Sequence, residues 1–228
     1  MILRIKSIKI RKNNEIELMK KNHDLITNII IDILKNLYEP VCALEYNSEF
    51  ELLAATILSA QCTDERVNSV TKTLFKKYRK LDDYVNADII EFEQDIKPTG
   101  FYKNKAKSIL NSAKIIKEKY NGKIPDDINE LIKLPGVGRK TANVVLGSAF
   151  GITSGIVVDT HVKRLSNRIG LSKNSDPEKI ENDLIKITEK KNWIILSHLL
   201  IHHGRKICSA RKPLCRDCKI QKYCKKNI

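Results

Sequence analysis

A chain of 228 residues is long enough to bury a real core and to hold one large or two small domains. Its 42 Lys and Arg against 27 Asp and Glu give a formal charge of +15, an imbalance that a merely solvated surface does not need and that a polyanionic partner explains. Membrane insertion is excluded as the alternative, because the best apolar stretches (26–37 and 193–201) are short and interrupted by polar groups. The first twelve residues alternate apolar and basic side chains but lack the continuous apolar region and cleavage site of a secretory signal. They read as a loosely packed extension, with organelle targeting the lesser alternative, and the protein is expected to be soluble and intracellular.

The elements read as almost wholly helical. Residues 21–38 show helical apolar periodicity. Ser48-Glu49-Phe50-Glu51 is a capping box opening a helix over 50–60. Further helices fit 64–78, 87–95, 104–120 (stopped by Asn121-Gly122), 161–169, 177–188 and 193–203, the last closed by Gly204. Residues 156–158 form the one short extended piece expected, and 173–177 is a polar connector.

Between these elements lies the most informative stretch, LPGVGRKTANVV at 134–145. An apolar run (Ile128, Leu131, Ile132, Leu134) opens after Asp126-Asp127 and is stopped by Pro135. Gly136 and Gly138 permit a tight hairpin, and a second helix runs from Arg139 through Ala149 to Gly151. Such a helix-hairpin-helix aims backbone N–H groups and the positive end of a helix dipole at one point, which suits a phosphate. Lys140 sits in the first turn of that helix. The dipole there disfavours an ammonium, so a desolvated lysine at this position makes a nucleophilic amine. Alone, the motif is equally well an ordinary helical corner with a surface lysine.

Four cysteines, Cys208, Cys215, Cys218 and Cys224, follow the pattern C-x6-C-x2-C-x5-C close to the C-terminus. Without a secretion signal, metal binding is a better use for them than disulfides. Zinc and an iron–sulfur cluster both accept four thiolates. A single short loop with unequal spacing, rather than two separate C-x2-C knuckles, tilts the reading toward iron–sulfur. Nearby His198, His202 and His203 keep a Cys/His zinc site open as a rival, although their apolar helix suits core or capping roles better. Cys42 and Cys62 read as buried, reduced thiols.

In order and spacing, LSAQCTD at 58–64, GFYKNKA at 100–106, the hairpin at 134–145, VDTHV at 158–162 and the cysteine loop together resemble the endonuclease III family of helix-hairpin-helix DNA glycosylases. The resemblance runs from about Phe50 to Cys224 and implies an all-α, two-domain fold. One domain would be a six-helix barrel over 42–152 containing the helix-hairpin-helix (126–151). The other would join 1–41 to 153–228 and carry one 4Fe-4S cluster on the loop 208–224. It also implies a monomeric enzyme acting on duplex DNA with damaged bases or abasic sites, with the nucleotide flipped into the cleft between the domains.

The resemblance further implies the site residues. Lys140 would attack the sugar carbon bearing the base, forming a Schiff base from which the 3′ phosphate is eliminated. Asp159 would supply the carboxylate, while also suiting an N-cap. Gln61 would fill the vacated space and Phe101 would wedge against the neighbouring stack. Otherwise they would be a surface polar residue and a core aromatic. Gly136 and Gly138 would grip a phosphate, and Arg211 and Lys212 would contact phosphates from the cysteine loop. The implied activity is a bifunctional glycosylase and lyase for oxidised pyrimidines, cytoplasmic and nucleoid-associated. Two alternatives stand beside it. A monofunctional adenine or thymine mismatch glycosylase usually lacks a lysine at position 140. A non-catalytic, metal-stabilised DNA-binding module gives no reason for Lys140 and Asp159 to occur together.

Overall fold

A computed structural model describes residues 24–226. The basic N-terminal stretch and the expected start of the first helix at Lys21 lie outside the described residues. Among them there is no β-strand, and the chain is all-α. It divides into two compact units, Val41–Ser154 and a second made of the chain up to Pro40 together with the chain from Gly155 onward.

The unit Val41–Ser154 is built around α2 (Glu49–Leu58), of which every residue except Glu49 is buried. A helix apolar on all sides has to lie in the middle of its neighbours. It packs against α3 (Asp64–Lys77), α6 (Tyr102–Lys119) and α8 (Arg139–Ala149), while α4 (Leu81–Val85) and α5 (Ile89–Ile96) pack against α6. Leu52, Leu53, Leu58, Val67, Phe92, Ile96, Ile109, Ala142 and Val145 share one core. The Ser48 hydroxyl accepts from the Glu51 N–H at 3.2 Å, as a capping box requires. The Glu51 carboxylate, however, reaches one residue further back and accepts from the Asn47 N–H at 2.6 Å. The five-residue α4 was not expected, being too short to show periodicity. The helix before the hairpin, α7 (Ile128–Leu131), is a single turn. It unwinds through i→i+3 bonds at Lys133 and Leu134, which leaves Ile132 exposed.

The second unit contains α1 (residues 24–35), α9 (Thr160–Ile169), α10 (Pro177–Lys186) and α11 (Trp193–Lys206). Ile30, Leu34, Val162, Leu165, Ile169, Ile180, Leu184, Leu196, Leu199 and Leu200 form its core. Residues 156–158 form no strand, although Ile156 is buried in that core. Gly204 does not close α11, which continues to Lys206. A Cβ at Gly204 would come within 2.9 Å of His161 Nδ1, so the glycine lets α9 approach the backbone of α11 instead.

Candidate active site and cysteine centre

The hairpin turns at Gly136, whose φ of +76° only glycine adopts without strain. The buried side chains Leu134 and Val137 anchor its two sides, and Ser112 Oγ on α6 donates to the Pro135 carbonyl at 3.1 Å. Gly138 differs from the expectation, with an ordinary φ of −89° and no strain to relieve. It is the N-cap of α8, open on its Cα side, and provides no side-chain cap. α2, α3, α5, α7, α9 and α10 all begin with a Ser, Thr or Asp side chain bonded to a first-turn amide. In α8 no side chain competes with an incoming anion for the first-turn amides. Lys140 lies in this first turn and is exposed, so the fold alone does not desolvate it.

Gln61 and Phe101 share an unusual backbone. Both have left-handed φ, +54° and +49°, and both are exposed, Phe101 by 66 %. Phe101 is therefore no core aromatic. Left-handed non-glycine residues cluster at sites where conformation serves function.

In the second unit, Asp159 is the N-cap of α9, its carboxylate accepting from the Val162 N–H at 2.7 Å. The other face of α9 holds the cysteine loop through two arginines that the sequence pattern does not mark. Arg164 donates to the carbonyls of Cys208 (3.1 Å) and Gly204 (3.0 Å). Arg168 donates to the carbonyls of Ser209 and Ala210, both at 2.7 Å, and to Cys208 Sγ at 3.4 Å. Their i,i+4 spacing was visible, but these partners lie forty or more residues away in sequence. Arg211 and Lys212 project from this pinned loop and are exposed.

None of the six cysteines forms a disulfide. Cys42 and Cys62 are half-buried rather than fully buried. Cys208, Cys215, Cys218 and Cys224 line one partly open cavity. Burial pushes the Cys218 thiol up, and the other three sulfurs push it the same way. His203 is buried, with Nδ1 hydrogen-bonded to the Tyr38 hydroxyl at 3.1 Å and Nε2 to Cys218 Sγ at 3.4 Å. Burial depresses its pKa to about 4. Among the described residues no three His, Cys, Asp or Glu side chains converge as the ligands of a single metal ion. No helix among them is long and apolar enough to cross a membrane.

Residues 54–190 match the family model described as HhH-GPD superfamily base excision DNA repair protein. An endonuclease III from Synechocystis sp. is 51% identical over 196 residues, covering 86% of this chain and 90% of that protein. The fold is similar to that in a non-covalent endonuclease III–DNA complex (TM-score 0.84, 43% identity, 89% of this chain and 95% of that one). It is equally similar to that in a trapped endonuclease III–DNA covalent intermediate, an estranged-adenine complex (TM-score 0.83, 43% identity, 91% and 96%).

Proposed function

The chain belongs to the endonuclease III family of HhH-GPD base excision DNA repair proteins, and from that premise we propose that it excises oxidised pyrimidines from duplex DNA and cleaves the strand 3′ to the resulting abasic site. The observation that carries this reading is Lys140, exposed in the first turn of a helix without a side-chain cap, directly after a glycine hairpin. The α8 amides and Gly136–Gly138 backbone hold a phosphate beside the lesion. That fixes the damaged nucleotide within reach of Lys140 once it leaves the stack.

The Lys140 amine forms a bond to C1′ as the C1′–N bond to the base breaks, and the base leaves with a proton. Opening of the sugar ring gives an imine between Lys140 and C1′. The imine draws the electrons of a C2′–H bond as that proton is lost, and the C3′–O bond breaks to release the phosphate. Water then hydrolyses the imine and frees the lysine. Asp159 supplies the carboxylate that takes up the Lys140 proton or offsets positive charge developing on the sugar. Gln61 fills the space left by the flipped nucleotide, and Phe101 wedges beside it. A trapped covalent DNA intermediate of a protein 43% identical to this one supports the imine route.

Cys208, Cys215, Cys218 and Cys224 fit one 4Fe-4S cluster. All four line one cavity, and such a cluster takes one thiolate at each of its four irons. When bound, the cluster supplies a covalent cross-link that shapes the loop. The loop presents Arg211 and Lys212 to phosphates, and Arg164 and Arg168 fix it to α9. The protein works as a monomer at the nucleoid, where its substrate is.

The test is incubation with one duplex containing thymine glycol and another containing an abasic site. Base release with strand cleavage on the first, and cleavage on the second, supports the reading. Base release from intact strands indicates a monofunctional glycosylase, and binding without reaction a non-catalytic module.

A further inference from the structure

Lys105, in the first turn of α6, is only 5% exposed. Lysines are rarely buried, because the ammonium loses its hydration, and burial pulls this one below its usual range. Its partners are two carbonyl oxygens: Nζ donates to Leu58 and to Thr99, each at 2.8 Å. Leu58 is the last residue of α2, three before Gln61, and Thr99 ends the 3₁₀ turn Lys97–Thr99, two before Phe101. The Lys105 backbone N–H donates in addition to the Phe101 carbonyl at 3.2 Å. The site suits a cation, since the Leu58 carbonyl lies at the negative end of the α2 dipole.

One side chain thus joins the two segments that carry the exposed, left-handed residues of this unit's proposed DNA-reading edge. Such backbones persist only where their surroundings over-determine them, and the Lys105 ammonium contributes two of those constraints. We propose that Lys105 is a positioning residue that fixes the Gln61 and Phe101 loops relative to one another before DNA binds, so that both side chains insert without further ordering. The proposal rests on the reading of Gln61 and Phe101 as inserting side chains. Its advantage is preorganisation: loops already set lose less entropy on inserting.

The test uses the full-length, cluster-loaded protein. Affinity is measured for an intact duplex and for the same duplex with one tetrahydrofuran abasic analogue, in wild type, Lys105→Met, the pair Gln61→Ala/Phe101→Ala, and the triple variant. Lys105→Met keeps the length and apolar stem but donates nothing. Its affinity for intact DNA and the salt dependence should match wild type, because phosphate contacts are untouched. Its preference for the abasic duplex should fall about tenfold, the scale of one lost hydrogen bond to a charged group. The Gln61/Phe101 pair should lose the same preference, and adding Lys105→Met to it should take away no more. Retained preference in Lys105→Met, equal losses on both duplexes, or an additive loss in the triple variant would overturn the proposal. If the Gln61/Phe101 pair itself keeps full preference, the inserting role is wrong, which is a separate result. Should Lys105→Met not fold, Lys105→Gln, which keeps a shorter donor, takes its place with the same expectation. Failure of both to fold would make Lys105 a support of the whole unit and overturn its positioning role.

Discussion

Gly136 is the hinge of the hairpin, and its replacement by alanine has a magnitude that follows from geometry. A Cβ built there lies 2.7 Å from both Cβ and Oγ of Ser108 on α6. The φ of +76° adds a second penalty. The left-handed backbone costs an L-residue about 1–2 kcal/mol. Forcing an extra carbon into a filled space costs about 1–3 kcal/mol. Gly136→Ala should therefore destabilise by about 2–5 kcal/mol, a large share of the ~5–15 kcal/mol available to a domain. Urea denaturation followed by circular dichroism measures this. A cycle with Ser108→Gly separates the two terms. Glycine at 108 costs about 1 kcal/mol of helix propensity by itself, but it removes the clashing side chain. The two substitutions should then couple by about 1–3 kcal/mol, leaving the backbone term plus the helix-propensity cost in the double variant. Gly138→Ala is the control, since its φ of −89° is ordinary and nothing lies within 4 Å of the added carbon. Its stability should fall by no more than about 1 kcal/mol, the difference between glycine and alanine as an N-cap, while affinity for DNA falls if the methyl group stands where the proposed phosphate docks. Equal stability of Gly136→Ala and wild type, or no coupling to Ser108, would refute the account of the hairpin.

Asp159→Asn should leave stability nearly unchanged, because asparagine also caps the Val162 amide. It should lower base removal by orders of magnitude yet spare some cleavage of a preformed abasic site, as single-turnover assays on the two substrates would show. Arg211→Glu and Lys212→Glu should each reduce the slope of log affinity against log salt by about 1 or more; an unchanged slope in both removes the cysteine loop from the DNA interface. The purified protein should be brown, with visible absorption and iron in proportion to protein, and Cys218→Ser should lose colour and loop order together. Stoichiometric zinc in a colourless, active protein would contradict the cluster assignment.

The start of α8 and the hairpin before it were legible because proline and glycine punctuate them and their effect is local. So were the N-caps Ser48 and Asp159, where a short polar side chain bonds the amide three residues on. Long-range geometry was not legible. Gly204 looked like a helix terminator and proved to be the close-approach point for α9. Gly138 looked like a second conformational requirement and proved to be an open N-cap. Nothing in composition marks Arg164 and Arg168 as holding the cysteine loop, because their acceptors are distant backbone carbonyls. Lys105 sits inside a recognised motif, yet its burial is invisible in sequence, where a lysine reads as solvated by default. The left-handed backbones of Gln61 and Phe101 were hidden for the same reason, since neither residue type announces a positive φ.

The central claim is that Lys140 forms the covalent link to DNA, and borohydride trapping tests it most directly. Wild-type protein, mixed with a thymine glycol duplex and reduced, should give a stable protein–DNA adduct that a tryptic digest places on Lys140. Lys140→Gln keeps a long polar side chain at an exposed position, so it should fold and bind the lesion duplex but give no adduct. Trapping of Lys140→Gln at the wild-type level would contradict the account and place the nucleophile elsewhere.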